Sequence, residues 1–433
     1  MNSNQTNKIS QLATLKERDA KHIWHPLTQH KTHPEVTPIV KAKGSVLYAE
    51  DGREYIDGIA SWYTSMYGHC NDFIIEKVYA QMQQLDQIVF SGFTHEPAIE
   101  LSEKLIAILP KNQLKIFFSD NGSTAVEVGI KMALQYHFNA NNKRDTILAF
   151  EEAFHGDTFG AMSVSGLSVY NGPFEDHFIK VVRIPVPKED NIEAIKIQLN
   201  TLIQKHQIAG FVYEPLVQGA AGMKMYEVEH LEPILQICKT NKITCIADEV
   251  MTGFGKTGTH FASDQIAIKP DVICMSKALT VGLIPMAITS CTQEVYDAFY
   301  SDDMGKGLFH AHTYTANPLS CVAAIAGLDL LVSEEIQTAI KKVHTLHSRF
   351  AEILAKNSKV KNIRLKGAIL AFELDVEMER YGSLRDQIFE HFKSDGIFLR
   401  PLGNTIYILA AFTIQEKELN SIYRSVEILL KTI

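Results

Sequence analysis

The sequence predicts an α/β fold with a mostly parallel sheet, joined to a smaller α+β region, on three observations. Between about residues 70 and 320, short apolar runs alternate with helical patterns, an order that lays helices on both faces of one sheet. The runs KIFFS (115–119), TILAF (146–150), IAGFVYE (208–214), ITCIAD (243–248) and DVICMS (271–276) show little in–out alternation. That is the pattern of parallel strands buried on both faces. Beyond residue 330, two amphipathic helices over 333–356 and 415–431 accompany strand candidates at 367–374 and 406–410.

The remaining segments follow from local signals. Residues 1–35 read as an irregular arm with scattered His and Pro. Residues 45–60 read as a β-hairpin, with apolar positions alternating around the turn dipeptide Asp51-Gly52. Helices are expected at 123–137 and 229–241, between strands.

A chain of 433 residues supports one large or two medium domains. Hydrophobic residues at 46% and charged residues at 21% fit a soluble enzyme. The net charge of -8 supplies no basic excess for neutralising nucleic-acid phosphates. The six cysteines form no C-x-x-C pair and read as reduced core thiols of a cytoplasmic protein. The opening MNSNQTNKIS has no apolar core of a secretory signal. The apolar stretch Val272 to Cys291 contains Lys277, a costly residue inside a membrane, so it reads as core and active site.

Three segments carry chemistry. Ser119-Asp120-Asn121-Gly122-Ser123-Thr124 follows a strand and opens a helix, and its free backbone N–H groups could cradle a phosphate or simply cap the helix. Asp248 ends an apolar strand, where ligands of open α/β sheets bind; it could hold a ring nitrogen or a metal, or be a turn residue. Lys277 ends another apolar strand, where poor solvation favours the neutral amine that condenses with an aldehyde. Together these are an anion seat, a carboxylate and an amine, the three grips that a phosphorylated pyridine aldehyde requires. GFGKTG (253–258) is not a phosphate loop, because Val250 stands where the first glycine is needed. His22, His25, His30 and His33 lack the spacing of a metal site, and no metal is expected.

The segments SDNGSTAVEVGIKMALQY, FHGDTFGAMSVSG, YEPLVQGAAGM, IADEVMTGFGKTG, MSKALT, HTYTANPL and FLRPLGNTIYI resemble class III (ω-type) aminotransferases that use pyridoxal 5'-phosphate (PLP). The likeness runs from His22-Ile23-Trp24-His25-Pro26 to Ile406-Tyr407-Ile408. It implies a fold type I PLP-dependent transferase with a small domain drawn from both termini. The expected partition is 1–70 for the arm and part of the small domain, 71–325 for the PLP-binding domain and 326–433 for the rest of the small domain. By this resemblance Lys277 carries the cofactor, Asp248 pairs with the pyridine nitrogen, and Gly122 and Ser123 hold the phosphate. Phe154 and His155 lie at the ring face. His312 and Thr313 complete the phosphate site from a second subunit, which implies a homodimer with shared active sites.

The resemblance also implies a substrate pocket. Arg400 would take the carboxylate of a keto acid. Trp62, Tyr63 and Tyr407 would line its wall, with Leu27, Phe154 and Ala311 at positions that complete it. Trp24-His25-Pro26 and Trp62 favour the branch that aminates 8-amino-7-oxononanoate in biotin biosynthesis, with S-adenosylmethionine or lysine as donor. Other branches act on ornithine, 4-aminobutyrate or diamines. The chain departs from the better-known members of that branch in having Leu27 and Phe154 for tyrosines, and Ala311-His312-Thr313 for Gly-Pro-Thr.

Overall fold

The computed structural model describes residues 14–32, 36–168, 171–378 and 382–433. Its centre is a seven-stranded sheet. In spatial order the strands are Gln113–Ser119, Ala287–Thr292, Val272–Met275, Thr244–Asp248, Ile208–Tyr213, Thr146–Phe150 and Val181–Ile184. All run in one direction except Ala287–Thr292, which pairs antiparallel with both neighbours. The five expected strands are all here. The two unforeseen ones have plain reasons. Val181–Ile184 is a four-residue edge strand, too short to show a period. Ala287–Thr292 overlaps the end of the apolar stretch Val272 to Cys291, where no break in composition marks off a second strand.

Burial explains the composition of these strands. Thr146–Phe150, Ile208–Tyr213, Thr244–Asp248 and Val272–Met275 are buried along their whole lengths. The helix Gly122–Asn139 packs on one face, against the strands around Gly210 and Val272. Val228–Thr240 buries Leu231, Ile234, Leu235 and Cys238 against the sheet.

The hairpin at Asp51-Gly52 forms as expected, between Val46–Ala49 and Glu54–Asp57. These strands belong to a four-stranded sheet, flanked by Ile39–Lys43 on one side and by Ile397–Phe398 from the far end of the chain on the other. A third sheet, Val360–Lys366, Ile369–Leu374 and Thr405–Ile408, is antiparallel throughout. The amphipathic helices Glu334–Leu354 and Glu416–Thr432 bury their apolar stripes near it. The segment expected to be an irregular arm contains the helix Leu15–His22, started by a capping box between Thr14 and Glu17. No helix among the described residues is long and apolar enough to cross a membrane.

Candidate active site

Parallel strands bring their carboxyl ends to one edge, and three site residues lie there for that reason. Asp248 is opposite Cys274 in the parallel pairing, so Lys277 leaves the sheet just beyond the same edge. Ser119, opposite Ala287, ends its strand close to Met275, which is opposite Ile288.

Lys277 begins a short 3-10 turn with a left-handed φ of 52°, a strained backbone for a long side chain. Its amine lies 5.1 Å from the centre of the Tyr63 ring. Burial pushes the amine below its ordinary pKa of 10.5, while Asp248 and Glu214 pull against that shift. The surroundings therefore enlarge the neutral, nucleophilic fraction.

Asp248 is 3% exposed. One carboxylate oxygen meets Nδ1 of His155 at 2.7 Å, and the other accepts the Val250 N–H at 3.0 Å. The His155 N–H donates to Ser165 Oγ at 2.9 Å, which fixes the loop, while Nε2 is buried without a partner among the described residues. Beside them lies Glu214, whose carboxylate accepts N–H groups of Phe154 and Gly219 at 3.1 and 2.9 Å. Burial, helped by nearby Asp248, raises its pKa to about 7, against the pull of His155. Sequence reasoning assigned no role to Glu214. It directly follows the strand Ile208–Tyr213, so the strand-end rule that found Asp248 would have found it too.

The anion seat is built by helix capping. Asn121 and Thr124 form a capping box that uses the Thr124 amide, which leaves the Gly122 and Ser123 N–H groups without a partner among the described residues at the positive end of an 18-residue helix. The seat is closed by tight packing. A Cβ on Gly122 would lie 2.8 Å from Val250, and one on Gly156 would lie 1.9 Å from Ser123 Oγ, which accepts the Asp157 N–H at 2.9 Å. The seat, the Asp248–His155 pair and Lys277 thus form one contiguous cluster. Its donor set fits PLP: two amides for phosphate, a buried carboxylate for a protonated ring nitrogen, an orphaned imidazole edge and an amine of lowered basicity.

The opposite wall comes from the four-stranded sheet. Phe398 pairs with Asp57, which sets Arg400 beside the segment that follows Asp57. There, Ala60, Ser61, Trp62 and Tyr63 all have positive φ, from 45° to 70°. Left-handed backbone costs about 1–2 kcal/mol per non-glycine residue, so surrounding contacts must impose it. Trp62, 39% exposed, carries the Arg400 guanidinium 5.0 Å from its ring. Tyr63 is buried and meets the Tyr407 ring edge-on at 5.8 Å; burial pushes both phenols up, Tyr407 to about 12.

The other expected site residues are more open to solvent on the single chain. Ala311 and Thr313 are exposed and His312 is half-buried. His310 lies 3.1 Å from the Lys131 amine, and the Thr313 carbonyl accepts from Gln87 at 2.8 Å. Leu27 is 57% exposed on the arm. Phe154 is exposed at its ring and tied to Glu214 through its backbone. In the arm, His25 pairs with Asp19 at 2.8 Å and packs on His30, and His33 lies outside the described residues.

Comparison with known proteins adds the following. The family described as aminotransferase class-III matches residues 27–430. A Synechococcus elongatus protein named adenosylmethionine-8-amino-7-oxononanoate aminotransferase is 41% identical, covering 95% of this chain and 99% of its own. A Helicobacter pylori protein of the same name is 34% identical over 92% and 94% of the two chains. The crystal structure of the enzyme so named from Methanocaldococcus jannaschii superposes with a TM-score of 0.90 at 32% identity, covering 95% and 98%. An amine transaminase from an uncultivated Pseudomonas species, in its PLP-bound form, superposes with a TM-score of 0.87 at 26% identity, covering 94% and 97%.

Proposed function

The chain belongs to the class III aminotransferases, and we propose that it aminates 8-amino-7-oxononanoate to 7,8-diaminononanoate in biotin biosynthesis. The observation that carries this reading is one continuous wall. It runs from the Lys277 amine, past Tyr63, to the Arg400 guanidinium stacked on Trp62. A keto acid needs both ends: an amine-bearing centre for its carbonyl and a cation for its carboxylate. The names of the curated relatives support the same substrate. Nothing in the site favours ornithine, 4-aminobutyrate or a diamine.

PLP, when bound, supplies an aldehyde for the amino group and a protonated pyridine ring as an electron sink. The chain's residues do the rest. Gly122 and Ser123 present amides to the phosphate. Asp248, aligned by His155, would hold the ring nitrogen of the cofactor in its protonated form. Lys277 Nζ, whose basicity burial lowers, would take the proton from the donor carbon and hold it for return. Arg400, held against the Trp62 ring, fixes the keto acid by its carboxylate. Glu214 keeps the Phe154 backbone in place beside the ring site. Donor and keto acid use this one pocket in turn, with S-adenosylmethionine as the donor and lysine as the alternative.

The reading extends to assembly. His312 and Thr313 complete the phosphate seat of a partner subunit in a homodimer, and the exposed Phe309 and Tyr314 rings beside them support an interface there. Leu27 and Ala311 serve the pocket in the same assembly. Residues 71–325 form the PLP-binding domain, supported by a central sheet built wholly from that range, and the two ends of the chain form the small domain. The enzyme works in the cytoplasm, which suits its free cysteines.

The test is direct. The PLP-loaded protein is given 8-amino-7-oxononanoate with S-adenosylmethionine or lysine, and diaminononanoate is measured. Turnover of 4-aminobutyrate or ornithine, with none of the oxononanoate, overturns the proposal. Mixing the PLP form with each donor alone identifies the donor by the appearance of pyridoxamine phosphate.

A further inference from the structure

The left-handed turn that carries Trp62 and Tyr63 has its own clamp. Asp57 is 1% exposed and ends the strand Glu54–Asp57. Its Oδ1 accepts the Ile59 N–H at 3.2 Å. Its Oδ2 accepts the Ser61 N–H at 2.8 Å and the Ser61 hydroxyl at 3.0 Å, and meets His69 Nε2 at 2.9 Å. Ser61 and His69 converge on the same carboxylate oxygen, with Ser61 Oγ 3.5 Å from His69 Nε2, so the trio forms a clamp around Asp57. His69 is itself anchored by a two-way backbone bridge to Gly44, with N···O distances of 2.7 and 3.0 Å.

The clamp acts on a backbone that would not keep this shape unaided, since Ala60 to Tyr63 all sit in the region that L-residues avoid. If the turn relaxed, Trp62 would leave Arg400 and Tyr63 would leave the Lys277 amine together, because both rings ride on it.

We propose that Asp57 and His69 are positioning residues for the transamination reaction, holding the Ala60–Tyr63 turn left-handed so that Tyr63 faces Lys277 and Trp62 faces Arg400. This rests on the reading of the site given above. The clamp is distinct from a general stabilising contact because it controls both ends of the substrate wall at once.

The experiment uses the PLP-loaded enzyme with His69→Ala and His69→Gln; glutamine keeps an N–H donor for Asp57. Two quantities are read: KM for the oxononanoate, and the pH midpoint of the visible band of the lysine-bound cofactor, which needs no substrate. His69→Ala is expected to raise KM on the order of tenfold, with kcat less affected, as for a slightly misplaced binding group. It is also expected to lower the midpoint, because the Tyr63 ring face no longer favours the cation. His69→Gln restores both. Ser61→Ala, which removes one bond to Asp57 and leaves the core intact, gives a smaller change in the same directions if His69→Ala fails to fold. An unchanged KM and midpoint in His69→Ala, or in Ser61→Ala where His69→Ala does not fold, overturns the inference, as does a His69→Gln variant no better than His69→Ala. Failure of the wild type to aminate the oxononanoate instead defeats the substrate reading, and the midpoint still decides the clamp.

Discussion

Lys256→Met should stabilise the cofactor-free protein, and by an amount that depends on pH. Lys256 is fully buried, and its amine donates to the Gly253 carbonyl at 2.6 Å and lies 5.8 Å from the Phe254 ring centre. Burial, helped by the nearby Lys277 amine, lowers its pKa from 10.5 to about 7, against the pull of Glu249. Glu249 does not depend on the lysine for partners, since it accepts from the Thr252 hydroxyl and the Ala262 and Ser263 amides at 2.5, 3.1 and 2.7 Å. The shift amounts to roughly 5 kcal/mol against the folded state wherever the amine is charged in both states, at about one decade per 1.4 kcal/mol. Below about pH 7 that cost is present in full and independent of pH. From pH 7 to 10.5 the unfolded chain binds one more proton than the folded one, so the wild type gains stability as pH rises. At pH 9 only about 2 kcal/mol of the cost remains. Loss of the donor to the Gly253 carbonyl offsets about 1 kcal/mol at either pH. Urea unfolding should therefore show Lys256→Met more stable than wild type by about 4 kcal/mol at pH 6 and about 1 kcal/mol at pH 9. A methionine variant less stable at pH 6, or an equal difference at both pH values, would refute the reasoning.

Lys277→Ala should abolish turnover and prevent the visible band when PLP is added; a fully active variant removes the lysine from the mechanism. Arg400→Ala should raise KM for the oxononanoate about a hundredfold with little change in kcat, the scale of two charge-assisted hydrogen bonds; steady-state kinetics with an uncharged ketone as control would show an equal effect on both if Arg400 only packs against Trp62. Gly367→Ala should lower stability by about 3 kcal/mol or prevent folding. Its φ is 58° and a Cβ there would lie 2.3 Å from the Gly258 nitrogen, so an alanine variant with an unchanged melting temperature would contradict the packing of the Gly258 loop.

Local chemistry alone made much of this protein legible. The buried strands announced themselves because both of their faces are covered, and the amphipathic helices because only one is. The turn at Asp51-Gly52 and the capped helix at Gly122 were readable from a few neighbouring residues each. Lys277 and Asp248 stood out as charged side chains at the ends of apolar runs, and the family likeness joined them into one site. What the sequence could not settle depends on which segments meet. Antiparallel pairing of Ala287–Thr292 is a property of its neighbours and not of its composition. Glu214 stands at a strand end like Asp248 and was legible to that extent, but only the pairing of their strands brings the two carboxylates near each other. The left-handed turn at Ala60 to Tyr63 has no glycine to signal it, and the convergence of Ser61 and His69 on Asp57 is visible only in the folded chain. Arg400 reaches Trp62 because two strands more than 300 residues apart pair side by side. A period along the chain records which face of an element is covered, but a register between distant strands is set by packing energy summed over the whole fold.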